Sequence, residues 1–138
     1  ARRLIKRNQG QIFENETKVS IAEERRWRMK LIYVCSPYCG DVELNTKKAR
    51  EYCHFVYTQG AVPIAVHLHN TQFLNDDIPE ERQAGLLLGI DLLKRCEEMW
   101  VFGDRVSEGM ETEIKVAHDL GIPIFYFNNQ YERGLSLK

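Results

Sequence analysis

Leu31-Ile32-Tyr33-Val34-Cys35 is a short apolar run, rich in β-branched residues, in a chain of 138 residues. Such a run is typical of a strand that is covered on both faces of a parallel sheet. Three later runs have the same character: Ala61-Val62-Pro63-Ile64-Ala65-Val66, Met99-Trp100-Val101-Phe102 and Pro123-Ile124-Phe125-Tyr126-Phe127. Pro63 cannot donate a ladder hydrogen bond, so it is expected near the start of its strand or on an edge of the sheet.

Helix patterns alternate with these strand candidates. The first helix is expected over residues 42–59 with Asp41 as its N-cap, and the second over residues 79–96 with Asp77 as its cap. A third helix follows over residues 109–120. The alternation predicts right-handed crossovers and an α/β fold of the Rossmann-like or flavodoxin-like kind. We expect three layers around a parallel sheet of four or five strands, with strand order 2-1-3-4.

Two segments lie outside this alternation. Residues 67–77 are expected to form an irregular loop, and residues 128–138 a polar tail. Residues 1–29 begin with a basic cluster and are interpreted as an N-terminal arm or appended helix, which leaves residues 30–138 as the α/β domain.

Composition and charge limit the classes of partner. The formal net charge is −1, from 19 basic and 20 acidic residues, so no general attraction to nucleic acid or to an anionic membrane is expected. The longest apolar runs are too short to span a bilayer, and no apolar segment typical of a signal peptide follows the basic start. We therefore expect a cytoplasmic protein that binds neither membranes nor nucleic acid.

The loop after the first strand reads Ser36-Pro37-Tyr38-Cys39-Gly40-Asp41. Ligands of such sheets bind outside the carboxyl ends of the strands where the strand order reverses, so this loop should lie beside the segment Gly103 to Gly109. A hydroxyl, a phenol and free backbone N–H groups at a helix N-terminus favour an anionic or hydroxyl-rich ligand. A plain turn with a helix cap explains the same residues equally well. The loop matches neither the dinucleotide fingerprint nor a Walker motif.

The strongest local signal is Gly103-Asp104-Arg105-Val106-Ser107-Glu108-Gly109-Met110-Glu111-Thr112-Glu113-Ile114. Gly109 would let a ligand approach the backbone closely. The buried stripe of the following helix is formed by Met110, Ile114 and Ala117. Glu113 faces the same way as this stripe, and a carboxylate there must be paired, capped or functional. From the residues alone, a backbone hydrogen bond or an arginine from a neighbouring chain is the more common outcome for such a group.

Two further features flank the expected crevice. His67 and His69 follow the second strand, and on an extended segment both would lie on one side. Because no third ligand stands at a spacing typical of zinc sites, we expect no metal and no other cofactor. Arg82 lies one turn into its helix and can reach the crevice.

Residues 30–127 resemble the nucleoside 2-deoxyribosyltransferase-like superfamily, and more closely a small uncharacterised branch of it. The resemblance rests on Ser36-Pro37-Tyr38 with Gly40, Asp41 and Asn45, and on the segment from Asp104 to Ile114. Lonely-guy-type phosphoribohydrolases and related nucleotide-sensing domains are similar in the broader pattern of glycine loop, helix and glutamate.

The resemblance implies roles for individual residues. Glu113 matches the position of the glutamate that, in deoxyribosyltransferases, attacks the anomeric carbon and holds the sugar covalently. Asp104 is the nearest match to an aspartate that contacts the sugar or the base in those enzymes. His67 matches a histidine that the branch often has after a proline, where this chain has Val66. Attack at an anomeric carbon passes through an oxocarbenium-like transition state, and Asp104 or Tyr38 would protonate or hold the leaving base. The expected substrate-binding residues are Ser36, Pro37, Tyr38, Gly40, Asp41, Asn45, His67, Arg82, Gly103, Ser107, Gly109 and Met110.

Two functions follow from this reading. The first is an enzyme of nucleoside or nucleotide N-glycosidic bonds, a 2-deoxyribosyltransferase or hydrolase with a glutamate nucleophile. The alternative is a non-catalytic module that senses or sequesters a nucleotide-derived small molecule. The helix over residues 79–96 is apolar on more than one face, which predicts a homo-oligomer formed through it, unless the N-terminal arm covers that face.

Overall fold

A computed structural model describes residues 28–134 and contains one five-stranded sheet of order β2-β1-β3-β4-β5. The strands are β1 Leu31–Cys35, β2 Val62–Ile64, β3 Glu98–Phe102, β4 Ile124–Phe127 and β5 Arg133–Gly134. The first four strands are parallel, and β5 is antiparallel to β4. The predicted α/β class and the order 2-1-3-4 are confirmed, and Pro63 lies in an edge strand as expected. The predicted arm over residues 1–29 lies almost entirely outside the described residues.

Within residues 28–134, four α-helices connect the strands. They are α1 Val42–Thr58, α2 Val66–His69, α3 Pro79–Arg95 and α4 Glu108–Asp119. A single 3₁₀ turn, Asn70–Gln72, follows α2. Among residues 28–134, none of the helices combines the length and apolar character that crossing a membrane requires.

The central strand β1 contributes to two hydrophobic cores. Ile32 and Val34 pack with Val56 of α1 on one face of the sheet. Tyr33 and Cys35 point to the opposite face, because successive side chains of a strand alternate, and they pack with the residues of α3 and α4. Helices therefore cover both faces, which confirms the three-layer arrangement.

Of the two N-cap residues predicted from the sequence, one is confirmed and one is wrong. Asp41 caps α1 as predicted, since its carboxylate accepts a hydrogen bond from the backbone N–H of Leu44 at 3.0 Å. The predicted cap at Asp77 is wrong, because α3 begins one residue later, with Ile78 as an extended N-cap residue that makes no side-chain capping bond. Pro79 at the first helical position explains the shift, since the residue before a proline is restricted to extended conformations.

The expectation of an irregular loop over residues 67–77 is also wrong in its first half. The predicted strand stops at Ile64, and Val66 begins the short helix α2. His67 and His69 thus belong to a helical turn and not to an extended segment. Their side chains diverge: the ring of His67 stacks on Tyr38, and the ring of His69 meets Phe73 edge-on.

Residues 128–134 form a tight hairpin where a polar tail was expected. The Asn128 side-chain oxygen accepts hydrogen bonds from the backbone N–H groups of Gln130 and Glu132, at 2.9 and 3.0 Å. This turn returns the chain along β4, and the Arg133 guanidinium lies 4.0 Å from the centre of the Phe125 ring. The short side chain of asparagine stabilises turns in this way.

Leu93 offers a test of the α3 core, because it is 1 % exposed and packs against the sheet. We expect Leu93→Ala to lower the free energy of unfolding by about 2–5 kcal/mol through lost burial and a residual cavity. Urea unfolding followed by circular dichroism measures the change. The matched control is Leu44→Ala on the exposed side of α1, which should change stability by less than about 0.5 kcal/mol. Equal effects of the two substitutions would contradict the burial of Leu93 against the sheet.

Candidate functional site

A cleft of about 680 Å³ opens at the carboxyl end of β1, where α2, α3 and α4 converge. Tyr33 and Leu93 form its floor, and Gly109 lies in its wall on the first turn of α4. A methyl group built on Gly109 would meet no protein atom within 4 Å, so the backbone there is open to the cleft. Eight of the residues predicted from the sequence line this cleft: Ser36, Tyr38, His67, Arg82, Ser107, Gly109, Met110 and Glu113.

The second turn of α4 projects Glu113 into the cleft. Ser107 starts this helix by accepting a hydrogen bond from the N–H of Met110 at 3.3 Å, and Met110 is fully buried beneath it. Part of the Glu113 side chain is accessible, but its Oε2 atom is buried. Burial raises the pKa of the Glu113 carboxyl to about 7, although the neighbouring Tyr33 hydroxyl acts in the opposite direction.

Within residues 28–134, Glu113 lacks the backbone hydrogen bond that the sequence suggested, whereas an arginine partner from a neighbouring chain stays a prediction. No ion pair to Glu113 occurs among residues 28–134, and its Oε2 atom accepts no hydrogen bond there. A buried carboxyl that is neither paired nor fully hydrogen-bonded is costly, and such groups concentrate at functional sites.

Two more buried polar atoms without partners accompany Glu113. Ser36 Oγ and Asn70 Oδ1 are both buried without a hydrogen-bond partner in the described part of the chain. All three residues line the same cleft. Buried polar groups in folded proteins are almost always satisfied, so three unsatisfied atoms around one cavity indicate a place that a polar ligand or ordered water occupies.

An aromatic pair forms one side of the cleft. The rings of Tyr38 and His67 are stacked, with centroids 4.8 Å apart and an angle of 23° between the planes. Burial lowers the pKa of the His67 imidazole, while a hydrogen bond with the Ser36 backbone and the charge of Asp76 oppose this shift. The stacked rings give the cleft a flat aromatic surface beside its polar groups.

The mouth of the cleft is charged. Arg82 is exposed, and its Nε atom donates a hydrogen bond to the backbone oxygen of Asp76 at 3.1 Å. Asp76 and Glu108 also line the cleft, so the entrance presents carboxylates as well as one guanidinium.

Six of the residues predicted from the sequence lie away from this cleft. Four of them, Pro37, Asn45, Gly103 and Asp104, line a separate pocket of about 250 Å³. Gly40 and Asp41 line neither cavity, since Asp41 caps α1 and Gly40 adopts a φ of 101° just before it. The two candidate catalytic carboxylates, Glu113 and Asp104, are therefore not brought together.

Sequence reasoning missed two important residues of the cleft. Tyr33 could have been found, because strand alternation places its hydroxyl on the same face of the sheet as α4. Asn70 carried no local signal, because its burial depends on the 3₁₀ turn and on α3, whose Gly85 oxygen accepts its N–H at 3.4 Å. Over residues 28–134, no three histidine, cysteine or acidic side chains cluster in a way that could hold a metal ion.

Comparisons with known proteins bear on the fold. The 2-deoxyribosyltransferase of the psychrotolerant bacterium Bacillus psychrosaccharolyticus, a biocatalyst for nucleoside synthesis, is similar with a TM-score of 0.60 and 17% identity, over 71% of this chain and 72% of that one. The 2-deoxyribosyltransferase of Leishmania mexicana is similar with a TM-score of 0.52 and 16% identity, over 72% of this chain and 64% of that one. No curated protein sequence matches.

These neighbours confirm the fold that the loop motifs suggested, and at such identities they bear on the fold alone. A family model described as a domain of unknown function, DUF7768, matches residues 30–127, which is the span of all four parallel strands. The chain therefore belongs to the DUF7768 family, and its fold is nucleoside 2-deoxyribosyltransferase-like.

Proposed function

We propose that the cleft binds a nucleoside or nucleotide and that Glu113 acts on its N-glycosidic bond, in a 2-deoxyribosyltransferase or hydrolase reaction. The observation that carries the proposal is the Glu113 carboxyl, whose buried Oε2 accepts no hydrogen bond within residues 28–134, on a residue that lines one cavity with Ser36 and Asn70, which hold similar atoms. Resemblance of the fold to 2-deoxyribosyltransferases supports the choice of substrate class.

The chemistry uses the ionised form of Glu113. Its carboxylate oxygen forms a bond to the anomeric carbon as the bond from that carbon to the base nitrogen breaks and its electron pair leaves with the base. The resulting ester is then cleaved by a second base or by water, which regenerates the carboxylate. Tyr38 lines the same cleft and is a candidate to stack on the base and to donate a proton to it.

Burial raises the pKa of Tyr38, which keeps its phenol protonated and able to donate. The sequence-based role of Asp104 as the second catalytic group would require a ligand, or a second subunit, that connects the two cavities.

One observation favours the alternative function, a non-catalytic module that senses or sequesters a nucleotide-derived molecule. Because the pKa of Glu113 is about 7, a substantial fraction of the carboxyl is protonated at neutral pH and can donate a hydrogen bond to a ligand. A binding module needs that donor and no nucleophile.

Glu113→Gln separates the two functions. The amide keeps the size of the side chain but cannot attack carbon, so turnover on a panel of 2′-deoxynucleosides with an acceptor base should fall by at least about 1,000-fold. Affinity for the substrate should change much less, because base and sugar supply most of the binding. Chromatography of the products measures turnover, and calorimetry measures affinity.

The control is Glu111→Gln on the same helix, which is exposed and does not line the cleft. It should leave both quantities unchanged. A native protein that binds nucleosides without converting them supports the binding module, and full activity of Glu113→Gln would exclude the nucleophile.

The raised pKa of Glu113 also predicts how stability depends on pH. An unfolded glutamate has a pKa of about 4.3, so the folded chain retains a proton that the unfolded chain has already lost. The stabilisation that comes from this retained proton on Glu113 is fully present below about pH 4 and is lost as the pH rises through about 7. Between pH 5 and pH 8, the free energy of unfolding of the native protein should therefore fall by about 2–3 kcal/mol more than that of Glu113→Gln.

Urea unfolding of native protein, Glu113→Gln and Glu111→Gln at both pH values measures this difference. The Glu111→Gln variant should follow the native protein. A Glu113→Gln difference that is the same at both pH values would mean that the carboxyl is solvated and titrates normally.

We also propose that the protein forms a homo-oligomer through the helix over residues 79–96. On α3, Leu86, Leu87 and Leu88 are 54%, 60% and 42% exposed, and Leu86 also lines the cleft. Exposed leucines are unfavourable in water, and burying those on one face of α3 in a second copy would stabilise both chains.

Light scattering after gel filtration should give at least twice the single-chain mass for native protein at micromolar concentration. Leu87→Glu should yield the monomer, because the interface would bury an unpaired charge. The control Leu44→Glu places the same charge at a leucine that is 45% exposed on α1 and should keep the native mass. A native protein that is monomeric would refute the oligomer.

A further inference from the structure

We propose that the 250 Å³ pocket on the α1 side of the sheet is a second binding site, which takes an oxyanion such as a phosphate group. The proposal does not depend on the function of Glu113. It rests on the side chains that line this pocket and on its separation from the cleft.

Two cations without acidic partners face the pocket. Lys48 comes from α1 and Arg105 from the loop after β3, and neither forms an ion pair within residues 28–134. One carboxylate, Asp104, also lines the pocket, and it accepts a hydrogen bond from the side-chain amide of Asn129. Two cations and one carboxylate give the residues that line the pocket a formal charge of +1.

Tyr52 supplies a third donor at the base of the pocket. Its ring is buried and stacks on Phe102, with centroids 4.6 Å apart and planes only 10° from parallel. Its hydroxyl lies beside Gly103, 3.7 Å from where a Cβ atom of that residue would be. Burial, together with the charges of neighbouring acidic groups, raises the pKa of Tyr52, so the phenol keeps its proton.

Three residues with hydrogen-bond donors, Lys48, Arg105 and Tyr52, therefore line one concave space. Charge-assisted hydrogen bonds from such groups to oxyanions are short and strong, and guanidinium matches phosphate geometry with two parallel bonds. The volume corresponds to about eight water molecules at roughly 30 Å³ each, which is room for a phosphate group and part of what it esterifies.

The loop after β1 separates this pocket from the cleft. Pro37 lines the pocket, whereas its neighbours Ser36 and Tyr38 line the cleft. Asn45 holds the loop in place, because its side-chain N–H group donates to the backbone oxygens of Tyr38 and Cys39 at 3.0 and 3.1 Å. An anion in the pocket is consequently bound without contact to Glu113.

Calorimetric titration of inorganic phosphate into the full chain, at constant ionic strength, tests the proposal. We expect one saturable site per chain. Lys48→Gln and Arg105→Gln should each raise the dissociation constant about 10-fold or more, and Tyr52→Phe about 3-fold or more. The matched controls on the exposed side of α1, Lys47→Gln and Arg50→Gln, should change it by less than about 2-fold, since neither residue lines the pocket.

A second pair of titrations identifies the source of the phosphate and separates the two sites. A nucleoside monophosphate that binds more tightly than inorganic phosphate, and that loses affinity in Lys48→Gln, identifies a phosphate ester as the ligand. Equal affinities identify free phosphate. Glu113→Gln should bind phosphate as the native protein does, even where it has lost turnover or nucleoside binding.

Three results would overturn the second site. The first is the absence of saturable phosphate binding to native protein. The second is equal weakening by the control substitutions, which would show only general surface attraction. The third is weakening by Glu113→Gln as large as that by Lys48→Gln, which would place the phosphate in the cleft instead.

Discussion

The pairing of β1 with β3 sets the positions of both cavities. In this parallel register Cys35 lies beside Val101, so the two strands end at nearly the same level. The chain then leaves β1 toward α1 on one face and leaves β3 toward α4 on the other. Because the two loops diverge from adjacent strand ends, a concave space forms on each side of the sheet edge, as expected where strand order reverses.

The cleft carries a cost in stability that the two cores offset. A buried polar group without a hydrogen bond destabilises a folded chain by about 1–3 kcal/mol, and within residues 28–134 Ser36, Asn70 and Glu113 each contain one such atom. Fully buried side chains such as Phe102 and Leu93 provide the opposing hydrophobic stabilisation. Polar atoms held by a rigid frame and left unsatisfied are ready to bond a ligand without reorganisation, which is a property of preorganised sites.

The loop after β1 contributes residues to both cavities. Ser36 and Tyr38 face the cleft with the buried carboxyl, and Pro37 faces the pocket with the cations. The two cavities differ in chemistry as well as in place. The cleft is largely apolar around a few polar atoms, whereas most residues that line the smaller pocket carry charged or hydrogen-bonding side chains.

Local patterns in the sequence determined the parallel strands, their order, the cap at Asp41 and the inward direction of Glu113. These features follow from side-chain periodicity and from contacts between residues close in the chain, so they can be inferred without coordinates. The tertiary structure alone decided that His67 lies in a helical turn against Tyr38, that Asn70 is buried in the cleft and that Asp104 belongs to a different pocket from Glu113. Each of these depends on contacts between segments distant in the sequence, and the loop conformations that create them leave no periodic pattern in the residues.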